Sequence, residues 1–157
     1  NIGTDVIHLL QPFHVNILVC DLINQQSVVD TYGVKQVSQN KLLAESDFVT
    51  IHVPLTKLPF QMPDKSFFSR MKSTAFLINT SRGPVVIEKD LKNALFQESI
   101  AGAAIDVFES EPPDDLEFLS HPNLFSTPHI GGNANEAIIS MGRSAIKHLK
   151  EYFLNKR

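Results

Sequence analysis

The chain has 157 residues, of which 43% are hydrophobic and 20% are charged, and its formal net charge is −3. This size fits one domain. The mildly negative charge does not support binding to nucleic acid or to an anionic membrane. No apolar run approaches the roughly 20 residues that a membrane-spanning helix needs. One cysteine, Cys20, excludes an internal disulfide and suits a reducing compartment, so we expect a cytoplasmic protein.

Strand-like and helix-like segments alternate along the chain. The predicted strands are short, apolar and often β-branched, and they cover residues 15–20, 48–53, 75–79, 100–107 and 124–127. The predicted helices cover residues 4–10, 25–32, 41–45, 64–71, 88–97 and Asn135–Leu154. The stretch ESEPPDDLEF, residues 109–118, is predicted to be a loop.

This alternation predicts an α/β fold with a parallel sheet covered by helices, because each strand is apolar on both faces. We therefore expect a doubly wound, Rossmann-like sheet. Such sheets bind their ligands at the carboxyl ends of the strands. The residues that follow each predicted strand are thus the first candidates for a functional site.

Asp21 directly follows the first predicted strand and lies about 20 residues after Gly3, the spacing at which a dinucleotide-binding fold places an acid on the adenosine ribose. Its charge would disfavour the 2′-phosphate of NADP. An aspartate that closes a turn or caps a helix explains the same pattern. Only the last glycine of a G-x-G-x-x-G motif is present, so we expect the first strand and two glycines before Asn1.

The stretch TIHVPLT, residues 50–56, ends the next strand at a proline. Val53 and Pro54 form an apolar surface on a fixed backbone, which suits packing against an adenine ring. Simple termination of a strand explains the pattern equally well.

Charged side chains follow the later strands. Arg82 stands in LINTSRGPVV, Asp106 follows IAGAAI, and Glu111 lies in the acidic loop. His129 precedes a Gly-Gly pair, where the backbone can approach a ligand closely. Each residue has an ordinary explanation as a surface charge, a loop acid or a helix-start residue, but together they predict a site at one edge of the sheet. The sequence has no H-E-x-x-H, C-x-x-C or P-loop motif, so no metal site is predicted.

Five longer stretches together with Asp21 resemble the NAD-binding domain of the D-isomer specific 2-hydroxyacid dehydrogenases. They are NIGTDV, ESDFVTIHVPLT, MKSTAFLINTSRGPVV, AGAAIDVFESEPP and NLFSTPHIGGNANEA. This family includes phosphoglycerate, D-lactate and glyoxylate/hydroxypyruvate enzymes. The resemblance implies an oxidoreductase that uses NAD, transfers a hydride to or from carbon 2 of a small D-2-hydroxy acid or 2-oxo acid, and forms a homodimer.

The resemblance also implies which residues act. Arg82 would hold the substrate carboxylate, and His129 would exchange a proton with the substrate oxygen. Glu111 would pair with His129 and favour its protonated form. Glu111 matches rather than Glu109, because the family's glutamate directly precedes the proline. The implied cofactor-binding set is Asn1, Ile2, Gly3, Asp21, His52, Val53, Pro54, Thr56, Thr80, Ser81, Asp106, Gly131 and Gly132.

By this resemblance residues 1–157 are an NAD-binding domain, and residues 136–157 return toward a substrate domain outside the sequence. The segment KLPFQMPDKSFF, residues 57–68, departs from the family's usual loop, and glutamate at position 111 argues against the formate dehydrogenase branch. Two alternatives stay open. The protein could be an NAD(H)-sensing interaction protein of the corepressor type, or a truncated chain without activity.

Overall fold

The computed structural model describes residues 2–55 and 63–154. Its helices are α1 (Ile2–Leu10), α2 (Gln26–Tyr32), α3 (Gln39–Glu45), α4 (Lys65–Phe68), α5 (Glu88–Phe96), α6 (Leu116–Leu119) and α7 (Asn135–Leu154). Its strands are β1 (Leu18–Val19), β2 (Lys35–Gln36), β3 (Phe48–Ile51), β4 (Phe76–Asn79), β5 (Gly102–Ile105) and β6 (Leu124–Ser126).

All strand pairs among the described residues are parallel, which confirms the predicted α/β class. β1 pairs with β2, while β3, β4, β5 and β6 pair in chain order. The strands nevertheless form two sheets, of two and four strands, rather than one. The break lies between β1 and β3.

Local sequence signals set several helix ends. α2 ends at Gly33, which has a left-handed φ of 66° and donates its N–H to the Val29 carbonyl oxygen. α3 begins after Ser38, whose hydroxyl accepts a hydrogen bond from the Lys41 amide. These contacts lie within a few residues of each other in the chain, and both helices were predicted close to their observed bounds.

The amino-terminal strands differ from the prediction. β1 covers only Leu18–Val19 of the predicted residues 15–20, and Val15 is 53% exposed. Its partner β2 was not predicted, because Lys35–Gln36 has no apolar run. A strand's length is set by the partner available to it, so a two-residue β2 supports only a two-residue β1.

Two further predictions need correction. The predicted loop at residues 109–118 contains the start of α6, whose first turn is capped by Asp115 accepting from the Phe118 amide at 3.0 Å. The strand predicted at residues 48–53 stops at Ile51, so His52 follows the strand instead of lying within it. The reason is that the paired partner, β4, ends opposite Ile51.

The hydrophobic core lies on the four-stranded sheet. Leu77 on β4 is fully buried, and Leu91 on α5 is 1% exposed. Full burial of such a side chain contributes about 1.5–3 kcal/mol. The core cluster of described residues runs from Leu43 to Leu124, and it holds the carboxyl ends of β4, β5 and β6 in a fixed arrangement.

The last helix, α7, is present over the predicted residues and has no buried residue. Its exposed apolar side chains are Ile138, Ile139, Met141, Ile146, Leu149, Tyr152, Phe153 and Leu154. Within residues 2–55 and 63–154, none of the helices has both the length and the apolar character needed to span a bilayer.

Candidate active site

Three neighbouring strands end side by side and carry the predicted site residues. The register places Asn79 of β4 beside Ile105 of β5, and Ile105 beside Ser126 of β6. Asp106 directly follows β5, while Arg82 and His129 each stand three positions beyond their strand. The fold therefore brings these side chains to one edge of the sheet, as expected for a parallel sheet.

His129 and Glu111 are in direct contact. The Nδ1 atom of His129 lies 2.8 Å from Oε2 of Glu111, and the two side chains are 46% and 38% exposed. The other carboxylate oxygen of Glu111 accepts from the Phe108 amide at 3.1 Å. The hydrogen bond from His129 first, and that from Phe108 second, hold the pKa of Glu111 below its ordinary value. An ionised Glu111 can only accept, so Nδ1 of His129 is the donor.

The loop that carries His129 is anchored by Asp106, which is 6% exposed. Its Oδ1 accepts from the Thr127 hydroxyl at 2.5 Å and the Ile130 amide at 2.8 Å, and its Oδ2 accepts from the Gly131 amide at 2.8 Å. Burial raises the pKa of Asp106, but these hydrogen bonds outweigh it and the net shift is downward. Asp106 is therefore a buried, ionised anchor for the loop.

The backbone around His129 needs this anchor. His129 has a φ of 52°, in the left-handed region that non-glycine residues seldom adopt. A Cβ atom at position 131 would lie 2.9 Å from Oδ2 of Asp106, so a side chain there would displace the carboxylate from its hydrogen bonds. Gly131 thus allows the backbone to approach a carboxylate of the protein itself.

The turn that presents Arg82 is held by a buried amide. Asn79, 1% exposed, donates from Nδ2 to the Arg82 carbonyl oxygen at 3.1 Å. Its Oδ1 accepts from the backbone and the hydroxyl of Ser81 at 3.0 and 2.8 Å. The exposed Arg82 guanidinium donates from Nη1 to the Ser81 carbonyl oxygen at 2.6 Å. The backbone is fixed while the charged end of Arg82 faces outward.

Close packing joins the Arg82 turn to the Glu111 loop. A Cβ atom on Gly83 would lie 1.8 Å from the carbonyl oxygen of Phe108, so only glycine fits at this position. Phe108 is the same residue whose amide binds Glu111. Arg82 and Glu111 are thus set by two loops in direct contact.

Glu109, the alternative to Glu111 as the partner of His129, forms hydrogen bonds with Glu88 instead. Its Oε1 accepts from the Glu88 amide at 2.8 Å, and its own amide donates to Glu88 Oε2 at 3.0 Å. This reciprocal pair joins the loop to the first turn of α5. The carboxylate that reaches His129 is therefore Glu111.

Five of the predicted cofactor residues line one groove of about 580 Å³. They are Gly3, Asp21, His52, Val53 and Pro54. The groove lies between β1 and β3, at the carboxyl ends of both strands. Its position is the one at which a doubly wound sheet holds a ligand.

Two polar residues of this groove, Asp21 and His52, already have protein partners. Oδ1 of the exposed Asp21 accepts from the Ile23 amide at 3.2 Å, and Oδ2 accepts from Gln25 at 2.7 Å. The Nε2 atom of His52 lies 3.0 Å from the Thr50 hydroxyl, and burial lowers the pKa of His52, so the ring is neutral at pH 7. Asp21 therefore closes a turn and also lines the groove.

The remaining predicted residues are placed less distinctively. Ile2 begins α1, and residues Ile2, Thr80 and Gly132 are exposed, while Ser81 is half-buried. Asn1 and Thr56 lie outside the described residues, as do residues 57–62, half of the segment at residues 57–68. In the described part of the chain, no cluster of His, Cys, Asp and Glu could hold a metal ion.

Sequence reasoning missed two residues that build the site, Asn79 and Thr127. Both stand inside the quoted motifs, Asn79 at the last position of β4 and Thr127 just after β6. A small polar residue at the end of a buried strand was the available signal. Its partner could not be read from the sequence, because Thr127 bonds to Asp106, 21 residues away.

Comparison with known proteins agrees with this geometry. Residues 1–131 match the family described as D-isomer specific 2-hydroxyacid dehydrogenase, NAD binding domain. A glyoxylate reductase of Korarchaeum cryptofilum is 41% identical over 149 residues, which are 94% of this chain and 45% of that protein. A D-3-phosphoglycerate dehydrogenase of Methanocaldococcus jannaschii is 35% identical over 96% of this chain and 29% of that protein. The chain thus spans less than half the length of these curated relatives.

Solved structures give the same result. The glyoxylate reductase from Paecilomyes thermophila has a TM-score of 0.86 and 29% identity, covering 95% of this chain and 45% of that one. The D-lactate dehydrogenase from Aquifex aeolicus, complexed with NAD and lactic acid, has a TM-score of 0.84 and 28% identity, covering 98% of this chain and 51% of that one. The chain therefore belongs to the D-isomer specific 2-hydroxyacid dehydrogenases, as a member of their NAD-binding domain family.

Proposed function

We propose that this chain is the cofactor domain of an NAD-dependent dehydrogenase that interconverts a small 2-oxo acid and its D-2-hydroxy acid. The observation that carries the proposal is the 2.8 Å contact between His129 and an ionised Glu111, next to the turn of Arg82. The similar proteins include glyoxylate reductases and a D-lactate dehydrogenase, which supports the substrate class.

The groove at the carboxyl ends of β1 and β3 fits the adenosine end of NAD. Its volume of about 580 Å³ is in the range of small-molecule sites. Asp21 would accept from the ribose, Val53 and Pro54 would pack on the adenine ring, and Gly3 lies at the amino end of α1, where backbone N–H groups attract phosphate. When bound, NAD supplies or accepts the hydride at carbon 2 of the substrate.

Arg82 is proposed to bind the substrate. A guanidinium binds a carboxylate through two parallel hydrogen bonds, which also fix the orientation of the bound acid. Arg82 already donates one N–H to Ser81, and its remaining donors are available for the carboxylate and the 2-oxo oxygen. Its backbone is held by Asn79, so the substrate is placed relative to a rigid turn.

His129 is proposed as the acid and base. Nδ1 donates to Glu111, so Nε2 is the nitrogen that gives a proton to the 2-oxo oxygen in reduction and takes one from the hydroxyl in oxidation. Reduction requires the imidazolium, which a carboxylate 2.8 Å away stabilises. Asp106 keeps the ring in place through the loop it anchors.

The test is turnover by the full-length protein that carries this domain. We expect NADH consumption with at least one of glyoxylate, hydroxypyruvate and pyruvate. His129→Gln should abolish turnover and leave NADH binding, measured by fluorescence, nearly unchanged. The control, His14→Asn in the loop before β1, should keep turnover. NADH binding without turnover of any 2-oxo acid would contradict the proposal and favour a sensor of the corepressor type.

We also propose a homodimer, in which α7 packs against a second copy. The support is the run of exposed apolar side chains along this 20-residue helix. Ile146→Glu should convert the dimer to a monomer in sedimentation at micromolar concentration, while Ser144→Glu, on the opposite face of the same helix, should not. A monomeric parent protein would count against this assembly.

A further inference from the structure

The peptide that joins Phe108 to Glu109 lies between the Arg82 turn and the Glu111 loop. A Cβ atom on Gly83, the residue after Arg82, would lie 1.8 Å from the carbonyl oxygen of this peptide and 2.6 Å from its nitrogen. The amide of Phe108, one peptide earlier, donates to Glu111 at 3.1 Å. A displacement of the peptide would therefore move Glu111 relative to the turn that presents Arg82.

A carboxylate on α5 holds the N–H group of this peptide. Oε2 of Glu88 accepts from the Glu109 amide at 3.0 Å, and Oε1 of Glu109 accepts in return from the Glu88 amide at 2.8 Å. Glu88 is the first residue of α5, and Ile87, which precedes it, forms no capping hydrogen bond through its side chain. The side chain of Glu109 therefore binds a free amide at the start of the helix, and the helix and the loop are joined in both directions.

The far end of the loop is bound by the same face of α5. Lys92 lies one helical turn after Glu88, and its Nζ lies 2.8 Å from Oδ2 of Asp115 and 2.7 Å from Oε2 of Glu117. Asp115 and Glu117 stand at the start of α6. Two side chains four positions apart on one helix thus hold the chain before and after Glu111.

The surroundings of Glu88 indicate which of its properties matters. Burial raises the pKa of Glu88. The negative charges of Glu109, Asp115 and Asp114 raise this pKa further, while the hydrogen bond from the Glu109 amide lowers it. A neutral acceptor such as glutamine could form the same hydrogen bond without this repulsion, so we expect the hydrogen bond to matter more than the charge.

We infer that Glu88 is a positioning residue for the proposed dehydrogenase reaction. It fixes the peptide between Phe108 and Glu109, and this peptide in turn keeps Glu111 at its 2.8 Å contact with His129. The inference rests on the proposed function, in which Glu111 favours the imidazolium that reduction requires. Glu88 itself is bonded to the loop and not to the reacting groups.

The experiment compares Glu88→Ala with Glu88→Gln in the full-length protein that carries this domain. Alanine removes the acceptor of the Glu109 amide, while glutamine keeps an acceptor oxygen and removes only the charge. Hydrogen exchange at the Phe108 amide should become at least about threefold faster in the alanine variant and stay unchanged in the glutamine variant. This measurement needs no turnover.

The second readout is the pH dependence of reduction. Among the described residues, the charged groups that act on Glu111 are His129 and Asp106, and a change at Glu88 leaves both in place. The alkaline limb of kcat/KM should move to lower pH by about 0.5 units in the alanine variant only, with NADH binding unchanged. Asp114→Asn is the matched control, because it removes a negative charge that acts on Glu88, and it should change neither readout.

Each other outcome overturns the inference or decides it through a second variant. Equal movement of the limb in both Glu88 variants would show an effect of charge alone. Faster exchange at Phe108 with an unmoved limb would make Glu88 merely structural, and no change in either readout would remove its role. If Glu88→Ala does not fold, Lys92→Met, with Lys92→Arg as its conservative partner, is judged by the same two readouts.

Failure of the proposed function gives a different result. If the protein turns over no 2-oxo acid, the dehydrogenase proposal is contradicted. The pH titration of the His129 ring by NMR then replaces the kinetic limb. Its midpoint should fall in Glu88→Ala and not in Glu88→Gln, and equal midpoints in the two variants would overturn the role of Glu88.

Discussion

The two sheets differ sharply in how they are held together. In the described chain the core cluster lies entirely between Leu43 and Leu124, on the four-stranded sheet and its helices. The two-stranded side contributes only Ile7 and Val34 as buried apolar residues, outside that cluster, and both residues of β1 are half-buried. The four-stranded sheet, which we call the packed side, carries the proposed catalytic residues. The two-stranded sheet, which we call the open side, carries Asp21.

This difference indicates a division of tasks. Arg82, Asp106, Glu111 and His129 depend on hydrogen bonds and close contacts that a well-packed sheet keeps in place. The groove residues sit where the two sheets face each other, beside strand β1, whose residues are only half-buried. We expect changes in packing to disturb the arrangement of the catalytic residues less than the arrangement of the residues that line the cofactor groove.

The largest expected effect tests the packing contrast itself. Leu77→Ala removes a fully buried side chain of β4 and should lower the free energy of unfolding by about 2–5 kcal/mol. Leu18→Ala on β1 should cost less than half as much in the 157-residue chain, because its side chain is half-buried. Urea unfolding measures the loss in the free energy of unfolding for both variants. Equal losses would show that the two sheets do not differ in how tightly they are packed.

Arg82→Ala tests whether substrate binding belongs to the packed side alone. Loss of the charge-assisted bonds should lower kcat/KM in the full-length protein by roughly 2–5 kcal/mol, or about 30-fold to 5,000-fold. NADH binding should be nearly unchanged. Arg70→Ala, at the opposite end of the sheet before β4, is the control and should keep full turnover. Weakened NADH binding with normal turnover per bound cofactor would instead make Arg82 a cofactor residue.

Thr127→Val tests the anchor of the His129 loop. A hydrogen bond to an ionised group contributes about 1.5–3 kcal/mol, and we expect that loss of stability at neutral pH. The pKa of Asp106 is lowered in the folded state. The ionised carboxylate therefore stabilises the fold at pH values above the ordinary aspartate pKa of about 3.9, and this stabilisation declines as the pH falls through the lowered pKa. The variant's deficit in stability should therefore shrink as the pH falls below the ordinary pKa of an aspartate. Thr74→Val, exposed before β4, is the control, and a deficit independent of pH would contradict the anchor.

Asp21→Asn tests the open side. Without the carboxylate the 2′-phosphate of NADPH meets less repulsion, so the preference for NADH over NADPH should fall roughly fivefold, as expected for exposed charges about 4 Å apart in water. Fluorescence titration with both cofactors measures it. Turnover at saturating NADH should not change. Equal affinities of the unsubstituted protein for NADH and NADPH would contradict the proposed contact between Asp21 and the ribose.

Glu111→Gln should produce the smallest change in rate, a displacement along the pH axis. The pKa of Glu111 is lowered because His129 donates to it, so the same contact favours the imidazolium. Glutamine keeps the size but removes the charge. The alkaline limb for reduction should move to lower pH, and the rising limb for oxidation should move with it. If kcat/KM profiles in both directions stay in place, Glu111 is not the partner that sets the protonation of His129.

The sequence alone determined the order and type of most elements. Apolar runs, helical periodicity and end signals such as Gly33 and Ser38 act over a few residues, so they can be read directly. The alternation of strands and helices was enough to predict a parallel sheet with chemistry at its carboxyl edge. Family motifs then singled out Arg82, Glu111 and His129, whose roles stay predictions.

Only the tertiary structure decided how those residues are held. Asp106 bonds to residues more than 20 positions away, and Gly83 is needed because a distant carbonyl, that of Phe108, lies against it. The break between β1 and β3, and the two-residue pair of β1 with β2, likewise depend on which edges meet. The physical reason is that strand pairing, close backbone approach and burial of a charge join parts of the chain that are far apart in sequence, and these contacts are set by packing.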